Sequence, residues 1–483
     1  MQKIIEIKTE DWTKGISAQK NKSVGGLFST LSGIDPFYNE GLCVPSLTST
    51  TITPSSTPKF ITNFNSAGVA YTYWHSDTEI KQVLKDSPYT QVDKSSEIQF
   101  GGFPVIGATT WRGKYVYARA GSDLRLTTIP VASGTNVQIR TGFGSVMDSM
   151  PLCVGADDNL YNGDAGTVGV QTSVSGLNSG SFTIGNGFYT RDLINDGQYL
   201  VILADNNSSD STGSTASRMA GNFRCRIFFW DMKKSLADVV YDIDDSYLIA
   251  GQQLDGNIYF FGYNGLYVCN SATPPRLIRP FIGYNGLSTA KPKNSYQLVK
   301  HKGSLFWVEG FDSIVTNGVI NAYGNPTFGG SKIFYQPHLT GNQGDAQTVL
   351  QVVGEQFWTG TDTPAIYVNN IGSTNGDGIV SFSKRMSAPY KYDFTKIVLS
   401  VPLSSGQSVS LIVTKIDGTI ISANETKLYS ASNPRQNLIF KITPSSNSQN
   451  IFEDIKIYIV TAGASVQRVS VYATPLEDAN EII

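Results

Sequence analysis

Three histidines, His75, His301 and His338, stand isolated in the 483-residue chain, and none has a second ligand at the short spacing a metal-binding ribbon or helix needs. They read as solvent-facing or core imidazoles. Carboxylates cluster in YDIDDSY, as Asp242, Asp244 and Asp245, where hard oxygen ligands would suit calcium. The stretch lacks the loop glycine and closing glutamate of an EF-type site, so no metal is expected. Acid pairs able to cleave a glycoside would have to come from separated positions, for which Asp158, Asp255, Glu309 and Glu355 are the candidates. Most adjoin glycine turns, where acidic residues are turn formers, and the structural reading is preferred. The chain has no G-x-S-x-G, P-loop or G-x-G-x-x-G, and no S-x-D-x-G-x-x-W box. Neither a catalytic residue nor a cofactor is expected. Tyrosine and tryptophan are plentiful enough for a sugar-stacking surface, although such rings more often pack between sheets.

The four cysteines, Cys43, Cys153, Cys225 and Cys269, are widely spaced and have no C-x-x-C pattern, which points to buried reduced thiols. Charged residues make up 16% of the chain at a formal net charge of −2. No basic field for nucleic acid follows from that balance. The first residues, MQKIIEIKTEDW, carry Lys3, Glu6 and Lys8 where a signal peptide would be apolar, and no run approaches a membrane span. Synthesis as a soluble protein is therefore expected.

The elements that position these residues follow from glycine turns and alternation. Asp255 to Asn270, DGNIYFFGYNGLYVCN, holds a glycine turn, an apolar run, a second glycine turn and another apolar run, which is a hairpin pattern. Related segments recur at Arg112, Asp196 and Lys302. The residues heading the apolar runs are Gly68, Gly113, Asn159, Gly197, Gly256, Gly303 and Gly354, so successive differences are 45, 46, 38, 59, 47 and 51. The long interval contains a polar insertion from Ala204. A period of about 40 to 50 residues with several strands per unit is the signature of a propeller blade.

The expected fold is thus all-β, with a β-propeller over residues 59–378 of about seven blades, six or five also being open. A β-sandwich or irregular stack with similar hairpins is the competing architecture. Thr78–Asp86 and Met232–Val240 also fit short helices by spacing. Residues 1–58 read as an extended N-terminal arm, either a closing strand for its own domain or a hook for a neighbour. From 379 to 483, period-two alternation at Ile397/Leu399/Val401/Leu403, Val409/Leu411/Val413, Leu438/Phe440/Ile442, Ile455/Ile457/Ile459 and Val469/Val471/Ala473 predicts a jelly-roll-like β-sandwich.

Lys14, Gly15, Ile16, Ser17, Ala18 and Gln19, followed by Gly33-Ile34-Asp35-Pro36 and Glu40-Gly41-Leu42, resemble the start of tail nozzle and related β-propeller virion proteins of tailed bacteriophages. Val44, Pro45 and Ser46 stand where that family has an Arg-Pro pair. The segment from Ile397 to Gly418 is also similar to domains of such proteins. The resemblance implies a non-enzymatic structural protein of the virion tail, made in the host cytoplasm. It implies a homo-oligomeric ring, typically of six copies, bound below a ring-shaped adaptor and around the channel through which genomic DNA leaves. Lys14, Gly15, Ile16, Ser17, Gln19, Gly41 and Leu42 would form its assembly arm. The alternative is a receptor- or carbohydrate-binding propeller tail protein, or a glycoside-cleaving one.

Overall fold

In the computed structural model of the protein, the described residues are 5–9, 28–32, 34–35, 44–45, 49–66, 69–84, 89–98, 103–141, 150–164, 166–175, 180–185, 187–206, 224–245, 247–280, 298–309, 319–324, 332–339, 347–361, 363–370, 377–415, 418–432, 435–441 and 451–476. They form 38 strands, numbered β1 to β38 along the chain, and among them there is no helix. The chain divides into two compact units. One takes the described residues of 50–318 and 341–368, the other those of 1–49, 319–340 and 369–483.

The first unit is built from antiparallel sheets whose strands follow one another in sequence. Sheet one is β6 (Phe60–Ser66), β7 (Val69–His75), β8 (Ile80–Val83) and β9 (Gln91–Asp93). Sheet two is β10 (Val105–Trp111), β11 (Lys114–Arg119), β12 (Asp123–Thr127) and β13 (Val137–Thr141). Sheet three is β14 (Leu152–Val154), β15 (Leu160–Asp164), β16 (Thr167–Gln171) and β17 (Gly180–Thr183). Sheet four is β18 (Tyr189–Asn195), β19 (Leu200–Asp205), β20 (Cys225–Trp230) and β21 (Val239–Ile243). Sheet five is β22 (Leu248–Leu254), β23 (Asn257–Gly262), β24 (Gly265–Asn270) and β25 (Thr273–Pro280). The sixth is represented in this unit by β26 (Leu298–His301) and β27 (Ser304–Glu309). The seventh runs β30 (Gln347–Val353), β31 (Gln356–Thr361), β32 (Ala365–Asn370) and then β5 (Ser49–Ile52).

The first strands of the seven sheets touch in succession, β6 to β10 to β14 to β18 to β22 to β26 to β30, and β30 returns to β6. That closed circuit of inner strands makes the unit a seven-bladed β-propeller. Its ring is shut by β5, which comes from the stretch read as an arm, so residues 49–52 act as a closing strand of their own domain. Thr78–Asp86 and Met232–Val240, which the spacing also allowed as short helices, contain β8 and the start of β21 instead, because each lies on a ladder with a preceding strand.

Each blade buries both faces, and this accounts for its continuous apolar runs. In β19, Val201 and Leu203 enter a core shared with Ile258 and Phe260 of the fifth blade, while Leu200, Ile202 and Ala204 enter one shared with Tyr161 and Phe182 of the third. Successive side chains of a strand point to opposite faces, so one run feeds two cores. Equivalent cores lie between the second and third blades, the first and second, and the seventh and first, the last containing Ile52 of β5. The described turn residues that marked the repeat, Asn159 and five glycines, fall between an inner strand and the next. Gly113, Gly197, Gly256, Gly303 and Gly354 all have positive φ there, which glycine adopts without strain.

In the second unit, β33 (Asp377–Leu399) is shared between two ladders. Its first part pairs β37 (Ile451–Ala462), which continues to β34 (Ser408–Lys415) and β35 (Ile420–Leu428). Its second part pairs β36 (Asn437–Lys441) on one side and β38 (Val466–Pro475) on the other, and β38 pairs β1 (Ile5–Thr9). On the opposite edge β2 (Phe28–Ser32) pairs both β33 and β29 (Ile333–Leu339). The expected alternation appears in the burial of Ile455, Ile457 and Ile459 and of Val409, Leu411 and Val413. Val401 departs from it at 61% exposure, because β33 ends at Leu399.

Candidate functional site

The inner strands of the propeller all run towards the same set of hairpin turns, and a cavity of about 640 Å³ occupies that end of the channel. The register of each inner hairpin fixes what faces it. The last paired residues of the seven inner strands are Ser66, Trp111, Val154, Asn195, Leu254, His301 and Val353. Two residues earlier stand Phe64, Thr109, Leu152, Leu193, Gln252, Val299 and Gln351, and all but Leu193 line the cavity. Asn63, Thr110, Lys300, His301 and Lys302 add to the polar wall, and no carboxylate is among the described lining residues.

The amide side chains of this wall are held in one sense. The Asn63 oxygen accepts from Thr72 Oγ1 at 3.3 Å, the Gln252 oxygen from the Gln253 backbone N–H at 3.1 Å, and the Gln351 oxygen from the Val352 backbone N–H at 3.0 Å. Gln351 Nε2 also donates to the Ile61 carbonyl at 3.3 Å, which joins the seventh blade to the first. With one lone pair of each oxygen engaged, the donors left to the cavity are the NH₂ groups of Asn63 and Gln252 and the second N–H of Gln351. Lys300 Nζ lies 3.3 Å from Gln253 Oε1, and Lys302 is ion-paired with Glu355. His301 Nε2 is 3.7 Å from Glu355 Oε2; burial lowers its pKa most, Lys302 lowers it further, and Glu355 opposes.

The carboxylates considered for glycoside chemistry sit at separate turns. Asp158 is paired with Arg112, Asp255 occupies the β22–β23 turn at φ 51°, and Glu355 is held by Lys302. Hydrogen bonding to Lys302 keeps the Glu355 carboxyl below its usual range. Glu309 ends β27, and its side chain is outside the described residues. The acidic cluster YDIDDSY separates in the same way. Asp242 pairs with Arg226 at 2.6 Å, whereas the buried Asp245 accepts from the Tyr263 and Asn264 backbone N–H groups and from Tyr267 Oη. Among the described residues no group of three or more His, Cys, Asp or Glu could hold a metal ion.

Other buried aspartates staple the same blade pair. Asp192 Oδ2 accepts from Gly251 N at 2.8 Å, and Asp205 Oδ2 accepts from Leu248 N at 3.0 Å while Arg191 grips the carboxylate with two nitrogens. His75 is fully buried against Tyr115 between the first and second blades, its Nε2 hydrogen-bonded to the phenol oxygen and its pKa pushed down to about 3 by burial. The described tryptophans Trp74, Trp111, Trp230, Trp307 and Trp358 are all buried, so no exposed indole platform exists among them. Cys153 and Cys269 are pushed up to about 12 by burial, and Cys225 is raised as well, which leaves all three as unreactive thiols. The arm residues Lys14, Gly15, Ile16, Ser17, Gln19, Gly41 and Leu42 lie outside the described residues, as do Cys43 and the side chain of His338.

Asn63, Gln252, Lys300 and Gln351 went unremarked in the sequence because no motif joins them. Their only trace there is a polar residue breaking the apolar run before each glycine turn, as in GQQLDG and LQVVGE.

The closed ring of inner strands defines the chain's larger unit as a β-propeller protein. No protein-family model matches the chain, and no curated protein matches its sequence. Among solved structures it is similar to a catalytically inactive virginiamycin B lyase from Staphylococcus aureus with quinupristin, at 11% identity and TM-score 0.46, covering 67% of this chain and 99% of that one. It is also similar to a streptogramin B lyase (10% identity, TM-score 0.48, 68% and 98% covered) and to the Pan2 WD40 domain of Neurospora crassa (8%, 0.43, 68% and 96%). Scores this low carry no functional argument, and the fold rests on the strand pairing itself.

Proposed function

We propose that the chain is a non-enzymatic structural component of a phage virion tail, of the nozzle or collar kind, that assembles as a ring around the DNA exit channel. The observation that supports it best is the use made of buried charge. Asp192, Asp205 and Asp245 are engaged in tying the fourth blade to backbone groups of the fifth, an arrangement that suits a rigid part under load. Breaking a buried, hydrogen-bonded carboxylate costs several times a surface contact. The resemblance of Lys14–Gln19 and Gly33–Leu42 to nozzle-type arms supplies the phage setting. Its partners would be further copies of itself, a ring-shaped adaptor, and DNA in transit; its place would be the virion, after synthesis in the host cytoplasm.

Native mass spectrometry and negative-stain images of the purified chain test this reading. Closed rings, six-membered by the resemblance, are expected alone or on addition of the adaptor. A stable monomer that binds no virion protein overturns it.

A further inference from the structure

We propose that the cavity at the turn end of the propeller channel binds a small acidic sugar, a hydroxylated ring carrying a carboxylate. The inference stands on the cavity alone and is independent of the virion reading. Three amides from three blades, Asn63, Gln252 and Gln351, line the cavity with an oxygen already accepting from a protein donor. Since Gln351 also gives one N–H to the Ile61 carbonyl, the donors left for a ligand are the Asn63 and Gln252 NH₂ groups and the second Gln351 N–H. Thr109 and Thr110 add hydroxyls, and Lys300 adds an exposed ammonium whose partner in the fold is the neutral Gln253. Among the described lining residues there is no carboxylate, so that wall is rich in donors and carries the positive charge of Lys300, Lys302 being paired with Glu355. A ligand that satisfies it must bring acceptors and a negative charge.

The rest of the wall specifies a carbon skeleton rather than a bare anion. Phe64 of the first blade, Leu152 of the third, and Leu298 and Val299 of the sixth add apolar surface at separate points of the lining. Tyr73 and Tyr115 back Phe64 at 5.6 and 5.7 Å, which holds its ring in place. Phe64 thereby gives the lining fixed apolar surface for the C–H groups of a ring. The volume of about 640 Å³ falls within the roughly 300 to 1,000 Å³ usual for small-molecule sites. A neutral sugar would leave Lys300 without a counter-charge, and inorganic phosphate would leave the apolar lining residues uncovered.

Calorimetric titration of the full chain with glucuronic acid and N-acetylneuraminic acid tests the assignment, with glucose, galactose and inorganic phosphate as comparisons. Saturable binding of at least one acid is expected, with the neutral sugars and phosphate at least about tenfold weaker, a difference of about 1.4 kcal/mol. Lys300→Glu is expected to abolish binding and Gln252→Ala to weaken it about tenfold. Lys427→Glu, in the other compact unit, is expected to leave it unchanged. The site is overturned if neither acid binds, if a neutral sugar or phosphate binds as tightly, or if an acid binds but both cavity variants match the unaltered protein. Circular dichroism of the two variants separates lost binding from lost fold, and Lys300 is exposed, so its replacement leaves the core intact.

Discussion

Arg112, in the inner-hairpin turn of the second blade, donates from Nε to Asp158 Oδ2 in the corresponding turn of the third at 2.7 Å. The same guanidinium donates to the Thr172 carbonyl at 2.8 Å and lies 4.8 Å over the Trp111 ring, while Trp111 Nε1 donates to the Asp158 carbonyl at 2.8 Å. Neighbouring blades are therefore latched at their turns as well as through their cores. Because Asp158 is largely exposed, solvent screens the ion pair. Arg112→Ala is expected to cost about 1 kcal/mol, chiefly through the packing and carbonyl contact. Asp158→Asn, which tolerates the turn's φ of 61°, should cost less than about 0.5 kcal/mol in the same urea titration.

Asp245 is the contrasting case of a carboxylate with no solvent to fall back on. Its removal in Asp245→Ala would orphan the Asn264 N–H and the Tyr267 hydroxyl and leave the Tyr263 N–H only the Tyr247 carbonyl, at an expected cost of about 3 kcal/mol. The adjacent Asp244→Ala, on an exposed side chain, should fall within about 0.5 kcal/mol of the unaltered protein. Equal effects of the two substitutions in denaturant unfolding would remove the staple from the account.

Gly262 offers a steric test of the same staple. A Cβ there would meet Asp245 Oδ2 at 2.3 Å and Tyr267 Cε2 at 3.1 Å. Gly262→Ala should therefore destabilise the fold by about 1 to 3 kcal/mol, read as a lowered thermal midpoint. By contrast, a Cβ at Gly113 meets nothing within 4 Å, so the cost of Gly113→Ala should come from its φ of 69° alone.

His75 gives the pH dependence a definite sign. In the unfolded chain the imidazole takes up a proton near its ordinary pKa of 6.5, whereas in the fold burial keeps it neutral down to about 3. Between those values the unfolded state binds more protons, so stability falls as pH falls, by about 1.4 kcal/mol per pH unit from this group. The slope of unfolding free energy against pH, measured between pH 6 and 4, should be shallower in His75→Gln by about one proton's worth. Superimposable slopes would place the imidazole in water.

Ile52 tests the closing strand. It is 4% exposed and packs with Ile61, Trp74 and Trp358 across the joint between the seventh and first blades. Ile52→Ala should cost about 2 to 4 kcal/mol and shift tryptophan emission to the red on early unfolding. A loss under about 0.5 kcal/mol would mean that the ring holds without β5.

Much of the fold was written locally. Among the described inner turns a glycine or aspartate with positive φ recurs, and apolar runs of strand length follow it, so Gly113, Gly197, Gly256, Gly303 and Gly354 by themselves declare hairpins at blade spacing. Alternation at Ile455, Ile457 and Ile459 likewise declares a strand with one buried face. These signals are short-range because backbone conformation and pleat depend on neighbours along the chain.

The tertiary structure alone decided the closing of the ring and the content of its channel. Nothing in STTI tells a reader that Ile52 completes a sheet begun some three hundred residues later, since pairing of distant strands leaves no local periodicity. Nor does a carboxylate announce its partner. Asp244 and Asp245 are adjacent in sequence, yet one faces water and the other clamps a turn of the next blade, because opposite sides of the chain meet different neighbours. Gln252 and Gln351 became one site for the same reason, each being the residue its own strand happens to turn towards a shared axis.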